Sequence, residues 1–300
     1  MAALVDALGQ SALDVLPPSH FVHLKSAFVR SRVLLIHGYS QDHSAWLSTA
    51  KRLHAVLHHD VLVPDLYGHG LSPYLPCVSD LDVLTLVAQL RKLVVEVGWA
   101  DERIVLGGIS MGGALAKLYS LAYPESVDRL VLVASGGLSE VWWHPLYGAR
   151  AAARLAVRLL RTDAKAQPDG PWPHRVLSRL HLVAETPEYR VPQATIAAHL
   201  RRFPLALVWG GWDFLHSAQL ERRRDGRDDV SVLRVPLVGH LLCEFLDWLR
   251  LEQYEHFWAD TAEAPADGGG PREREGAVAG SATAARTVSV PAAVLTRARL

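Results

Sequence analysis

One glycine-rich segment carries residue types that could perform nucleophilic chemistry. Gly108-Ile109-Ser110-Met111-Gly112 follows an apolar run at residues 103–107 and precedes a helical stretch. A sharp strand-to-helix turn strains the serine backbone, and small residues at Gly108 and Gly112 permit the close approach that it requires. The hydroxyl would project beyond the carboxyl edge of the sheet, where open α/β sheets bind ligands. We therefore predict that Ser110 is a nucleophile beside a helix N-terminus, which favours developing negative charge.

A serine hydroxyl needs a base to accept its proton. The chain has 15 histidines, so position must select among them. His240 follows the last predicted strand and precedes the closing helix, which returns it to the sheet edge that holds Ser110. His54, His58 and His59 lie at a helix end and are expected to be solvated. The order of elements therefore favours His240 as general base.

The imidazole must in turn be oriented by a carboxylate. Asp213 comes just after the strand that ends at Trp209 and precedes His240 by 27 positions, with one strand between them. A turn or helix-cap role is the alternative for this aspartate. Glu140, after the preceding strand, is the weaker candidate, and Glu244 is expected to cap or pair locally. We predict Asp213 as the third member of the triad.

Acyl transfer also needs hydrogen-bond donors for an oxyanion. The backbone N–H of Met111, next to the nucleophile, is one candidate donor. The second is expected from the loop after the first strand, where Gly38 lets the backbone turn inward and the N–H of Tyr39 is our choice. His37 is expected to brace this loop by hydrogen bonding. Direct participation of His37 in the chemistry is the minority interpretation.

Buried strands alternate with helices around these residues, which is typical of a mostly parallel, doubly wound α/β sheet. Continuous apolar runs predict strands, and 3.6-residue periodicity predicts helices. The predicted strands are residues 32–36, 60–65, 103–107, 129–134, 205–209 and 230–235; the predicted helices are 44–57, 79–97, a helix ending near 122, and 241–258.

Changes in composition suggest domain boundaries. Residues 1–19 form an N-terminal extension, and 20–137 with 201–258 form the α/β core. Residues 138–200 contain helical stretches and no buried strand, which indicates an inserted helical segment. The Gly-, Pro- and Ala-rich residues 259–300 cannot fill a core and are predicted to be a disordered tail.

Composition excludes several classes of function. Lys plus Arg and Asp plus Glu both number 31, so there is no electrostatic reason to expect nucleic acid as a partner. Two cysteines offer neither a disulfide framework nor paired zinc ligands. No apolar run is long enough for a membrane span, and the N-terminus lacks the basic start of a secretory signal. A cytoplasmic protein is expected, although the final Ala298-Arg299-Leu300 resembles a peroxisomal address.

The motifs together resemble the α/β-hydrolase superfamily, in its serine-nucleophile branch of esterases, monoacylglycerol lipases and carbon–carbon bond hydrolases. They are His37-Gly38, the D-x-x-G-x-G-x-S pattern at 65–72, the Gly108–Gly113 region, residues 209–213 and residues 238–240. The chain order of serine, aspartate and histidine is similar to that of the superfamily. The resemblance implies that residues 138–200 form a helical cap and that the 65–72 loop is structural. The superfamily's N-terminal strand pair is hard to find, since residues 20–31 offer one short hairpin at most.

Two tryptophans in the expected cap, Trp142 and Trp143, are candidate substrate contacts, because aromatic side chains often line ligand pockets. They could instead dock the cap on the core. The leading hypothesis is an enzyme that needs no metal or organic cofactor and cleaves an ester, thioester or related acyl bond of a small hydrophobic molecule. A carbon–carbon bond hydrolase with the same triad is the first alternative. A non-catalytic receptor or scaffold on this fold is the second.

Overall fold

The computed structural model describes residues 15–39, 41–75, 83–135, 195–210, 230–235 and 249–259, and, for the backbone alone, 193–194 and 287–289. Its strands are β1 (Phe21–Leu24), β2 (Arg32–Ile36), β3 (Asp60–Pro64), β4 (Ile104–Ile109), β5 (Val127–Val133), β6 (Leu205–Gly210), β7 (Val230–Val235) and β8 (Thr287–Ser289). Its α-helices are α1 (Ser44–Leu57), α2 (Val83–Glu96), α3 (Met111–Ala122) and α4 (Gln193–Leu200). Short 3₁₀ turns occupy Pro124–Ser126, Leu251–Gln253 and Glu255–Phe257.

The strands form one sheet in the order β1-β3-β2-β4-β5-β6-β7-β8. Strand β1 pairs antiparallel with β3, and all the other neighbours pair in parallel. This arrangement confirms the predicted mostly parallel, doubly wound sheet. The chain moves outward from β2 to β3 and then crosses back to β4 on the other side of β2. The order therefore reverses between β2 and β4, at the place where doubly wound sheets bind their ligands.

Both faces of the sheet are covered, which explains why the middle of each central strand is an apolar run. One buried cluster joins alternate strand residues such as Leu34 and Leu106 to helices α2, α3 and α4. The opposite cluster joins the intervening residues, such as Val33 and Val105, to α1 and to the segment around Trp258. Helix α1 lies on one face and α2 and α3 lie on the other, so the loops that leave β2 and β4 turn to opposite faces at the reversal point.

The structure differs from the sequence expectations in five places. Residues 21–24 form a single edge strand against β3, and no hairpin forms with β2. In the part of the predicted closing helix that the structure describes, two 3₁₀ turns occupy Leu251–Gln253 and Glu255–Phe257. Within the segment predicted to be disordered, Thr287–Ser289 pairs with β7. Helix α4, at the end of the predicted cap, buries Ile196 and Leu200 in the same cluster as α2 and α3.

His59 is the fifth difference, because it is fully buried although we expected it to be solvated. Its Nδ1 lies 2.6 Å from the hydroxyl of Ser31, which in turn donates to the carbonyl of Trp258 at 3.2 Å. Burial lowers the pKa of His59 to about 4, and the charges of Arg30 and Arg129 act in the same direction. The imidazole is therefore neutral in the folded chain at ordinary pH.

Candidate active site

Ser110 occupies the turn between strand β4 and helix α3. Strand β4 ends at Ile109 and the helix begins at Met111, so one residue makes the change of direction. Ser110 has φ 51° and ψ −113°, a conformation that a non-glycine residue rarely adopts. Its N–H donates to the carbonyl of Val133 on β5 at 2.9 Å, which fixes the turn to the sheet. Such strain persists only where the surrounding structure holds it, and it is concentrated at functional sites.

Two glycines make this turn possible through close approach. A Cβ on Gly108 would lie 2.4 Å from the carbonyl oxygen of Gly112, and a Cβ on Gly112 would lie 2.2 Å from that of Ile36. These neighbours are backbone atoms, so they cannot rotate away as a side chain could. Helix α3 consequently packs directly on the ends of β4 and β2, with its first turn next to Ser110. Because the N–H groups of a helix point toward its N-terminus, those of the first turn of α3 point toward Ser110.

The loop after β2 approaches Ser110 from the other side of the reversal point. Ile36 pairs with Gly108 in the β2–β4 register, which brings the next residues of both strands side by side. A Cβ built on Gly38 would lie 3.5 Å from the Cβ of Ser110. The structure therefore brings together Ser110, Met111 and the His37-Gly38-Tyr39 loop, three parts that sequence reasoning placed in one site.

His37 is fully buried beneath this loop. Its Nδ1 donates to the carbonyl of Gly38 at 2.8 Å, and its Nε2 accepts the N–H of Leu66 at 3.0 Å. Burial, together with the nearby His69, lowers the pKa of His37 to about 4. The ring is therefore neutral, with Nδ1 as donor and Nε2 as acceptor. It connects the loop after β2 to the loop after β3.

Two further side chains hold the same loop and were not identified from the sequence. Gln41 Oε1 accepts the N–H of Gly38 at 2.9 Å. His69 Nε2 lies 2.6 Å from the carbonyl of Tyr39, and its Nδ1 lies 3.0 Å from the carbonyl of Tyr67. Carbonyl oxygens only accept, so both His69 bonds form together only when the ring carries both N–H protons. The sole sequence signal for His69 was its place inside the 65–72 loop.

Asp65 is the hub of that loop. Its carboxylate accepts the backbone N–H groups of His43 at 2.7 Å and Leu71 at 2.9 Å. It also lies 2.8 Å from Nδ1 of His20 and 2.9 Å from Nδ1 of His43. Burial acts to raise the pKa of Asp65, but the hydrogen bonds from Leu71 and His43 outweigh it and hold the pKa below its ordinary value.

The remaining predicted site residues lie outside the described part of the chain. They are Asp213, His240, Glu140, Glu244, Trp142 and Trp143. The strands that lead toward the acid and the base are described: β6 ends at Gly210 and β7 ends at Val235. Both run parallel to β4 and so end at the edge of the sheet that carries Ser110. In the helices that the structure does describe, none is long and apolar enough to cross a membrane.

Comparison with known proteins now identifies the class. A sequence profile of the family described as alpha/beta hydrolase fold matches residues 31–186, just over half of the 300 residues. The chain therefore belongs to the α/β-hydrolase family.

Individual relatives are consistent with this membership. Lipase LipV of Mycobacterium tuberculosis is 36% identical over 104 residues, covering 34% of this chain and 36% of that protein. Monoacylglycerol lipase abhd6-A of Xenopus laevis is 29% identical over 109 residues, covering 36% of this chain and 32% of that protein. The matched part of the chain spans about a third of the length of the curated relatives.

A solved structure extends the similarity in fold beyond that segment. An α/β hydrolase from Novosphingobium aromaticivorans superposes with a TM-score of 0.58 at 22% sequence identity. The superposition covers 80% of this chain and 90% of that chain. The shared fold is therefore similar over most of both chains.

Proposed function

We propose that this protein is a serine hydrolase that cleaves an ester, thioester or related acyl bond of a small hydrophobic substrate. The observation that carries the proposal is Ser110 itself. Its strained turn joins β4 to α3 at the reversal point of the sheet, with the loop at Gly38 alongside. Backbone strain at a non-glycine residue is concentrated at functional sites, and this turn lies at the sheet edge where open α/β sheets bind ligands, which supports a catalytic role for Ser110.

The proposed mechanism divides the reaction into two steps. Ser110 Oγ attacks the acyl carbon while His240 accepts its proton, and Asp213 orients the imidazole. His240 then returns the proton to the leaving group, which departs and leaves an acyl-enzyme. Water then attacks the carbonyl carbon of the acyl-enzyme while the same histidine accepts its proton. The histidine passes that proton to Ser110 Oγ as the acid departs, which restores the free serine.

The proposed oxyanion hole consists of the backbone N–H groups of Met111 and Tyr39. Met111 is the first residue of α3, where the helix dipole adds to the stabilisation of negative charge. In the loop, the N–H of Gly38 is donated to Gln41, so Gly38 does not supply the second donor. This engagement supports the choice of Tyr39, whose carbonyl is held by His69.

The relatives support the proposed substrate class. Lipases are among the proteins that this chain resembles, and lipases act on carboxylic esters with apolar acyl groups. We propose that Trp142 and Trp143 contribute the apolar lining that selects the acyl chain.

Labelling with a fluorophosphonate probe and turnover of a graded series of nitrophenyl esters and thioesters test the proposal. Wild-type protein should label once and cleave part of the series, and Ser110→Ala and His240→Ala should lose both properties while keeping their fold. Asp213→Asn should retain a low residual activity, since in well-studied triads such a change lowers the rate by about 10⁴-fold. Glu140→Gln is the matched control for the acid. Labelling of Ser110→Ala as strong as that of wild type would exclude Ser110 as the nucleophile.

A further inference from the structure

Three side chains with metal-binding groups converge at a place separate from the nucleophile turn. His20 Nδ1, His43 Nδ1 and an oxygen of Asp65 all lie within 4.8 Å of one another. Both histidines turn the same ring nitrogen toward the one carboxylate, at 2.8 Å and 2.9 Å. Their ring centroids are 5.0 Å apart. Two imidazole nitrogens and one carboxylate oxygen are a ligand set that divalent zinc prefers in proteins.

The carboxylate is fixed before any ion arrives. The Asp65 side chain is fully buried, and the N–H groups of His43 and Leu71 hold its two oxygens. Hydrogen bonds of this kind to a ligating carboxylate are the usual outer support of a metal site. The two imidazoles are less enclosed, with 31% of the His20 side chain and 20% of the His43 side chain exposed. An ion can therefore reach the cluster from solvent while its anionic ligand stays in place.

We propose that His20, His43 and Asp65 form a binding site for one divalent transition-metal ion, with Zn²⁺ as the best match. The ion would take the place of the hydrogen bonds that the two Nδ1 atoms make with the carboxylate. Each imidazole would then be neutral, with the lone pair of Nδ1 bound to the ion and its one proton on Nε2, and any proton displaced from Nδ1 would pass to water. Ligand distances of about 2.0–2.2 Å to zinc require the three atoms to move by roughly an ångström or less from a hydrogen-bonded arrangement. A water molecule completes the fourth position on the exposed side.

The position of the cluster gives such an ion a structural consequence. His20 lies just before β1, His43 lies just before α1, and Asp65 follows β3. An ion held by all three would connect three segments that are distant in the sequence, so its binding would stabilise the folded state. His43 also closes the loop that begins at Gly38. The ion would therefore restrain the segment that faces Ser110 without entering the proposed catalytic site.

Zinc titration of the full chain, first freed of metal with a chelator, tests the site. A chromophoric zinc indicator reports the stoichiometry and affinity of binding. Thermal unfolding shows whether bound zinc stabilises the folded state. Wild-type protein should bind one Zn²⁺ and should melt at a higher temperature in its presence. His20→Gln and His43→Gln should each weaken binding by at least about tenfold and should remove the thermal shift. Mg²⁺ should have no effect, since it prefers oxygen ligands.

His58→Asn is the matched control, because it removes an exposed imidazole of the same α1 region at a left-handed position that asparagine tolerates. It should bind zinc as the wild type does. If His43→Gln fails to fold, the more exposed His20→Gln carries the test alone. The proposal is wrong if wild-type protein binds no Zn²⁺ up to about 1 mM, if both glutamine variants bind as tightly as wild type, or if Mg²⁺ produces the same thermal shift. These readouts need no turnover, so the assignment of Ser110 stands or fails separately.

Discussion

Gly112→Ala should disrupt the serine turn by forcing the sheet and helix α3 apart. The added methyl group would lie 2.2 Å from the carbonyl oxygen of Ile36 and 2.6 Å from that of His37, where ordinary contact begins at 3.4 Å. The helix and the end of β2 must therefore separate by about 1 Å, in a part of the structure that is close-packed. Overpacking a core typically lowers the free energy of unfolding by about 1–3 kcal/mol. Because both neighbours of the added methyl group are backbone atoms, we expect Gly112→Ala to lose about 3 kcal/mol, at the upper end of that range.

Gly98→Ala is the matched control for this prediction. Gly98 has φ +81° and no heavy atom within 4 Å of its would-be Cβ, so alanine there meets backbone strain alone, roughly 1–2 kcal/mol. The effect of the added methyl group on the unfolded chain is the same in both variants and cancels in the comparison. Urea unfolding should show that Gly112→Ala loses more free energy of unfolding than Gly98→Ala, and ester turnover should fall only in the former. Equal stabilities with full turnover in both variants would refute the close approach of α3 to β2.

Two further predictions concern buried histidines. The pKa of His59 is lowered from 6.5 to about 4 in the folded chain, so between these pH values the unfolded chain binds more protons than the folded chain. The free energy of unfolding should therefore fall as the pH drops from 6.5 toward 4. The fall should be about 3 kcal/mol, at 1.36 kcal/mol per pKa unit. His59→Leu should flatten this dependence in urea unfolding at several pH values, and an unchanged slope would count against a neutral buried ring. His69→Phe removes the bond to the Tyr39 carbonyl and should lower kcat by roughly tenfold with little change in KM, as expected for a group that positions an oxyanion donor; a pure rise in KM would assign His69 to substrate binding.

The parts of the fold that the sequence predicted correctly depend on local patterns. Helix α1 was expected at 44–57 and is found at Ser44–Leu57, because its apolar residues recur with helical period and left-handed His58 ends it. The strands of the parallel sheet were recognisable because burial on both faces leaves continuous apolar runs. The turn at Ser110 was predictable because its signal is also local: a buried strand, two glycines and a helix follow one another in the chain.

Features set by distant contacts were not predictable in this way. Strand β1 has its partner about 40 positions away in β3, and no pattern within 20–31 specifies an antiparallel edge. His59 was assigned to solvent because it follows an amphipathic helix. It is buried instead, and it bonds to Ser31, which in turn donates to the carbonyl of Trp258 from a remote part of the chain. The residue types of Gln41 and His69 do not by themselves indicate a role, since amides and histidines in loops are usually solvated. Their roles follow from which carbonyl or N–H lies opposite, and that is a property of the folded chain.

The loop that faces Ser110 is held chiefly by the segment that leaves β3. His37 receives the N–H of Leu66, His69 contacts the Tyr39 carbonyl, and Asp65 accepts the N–H of His43. Three separate attachments over residues 65–69 thus fix the loop at its start, middle and end. Because backbone donors act on an oxyanion only when they are already oriented, the 65–72 loop must be as rigid as the serine turn for the proposed chemistry to proceed. The D-x-x-G-x-G-x-S pattern thereby acquires a physical reason for accompanying the serine motif: it positions the half of the site that the nucleophile strand cannot reach.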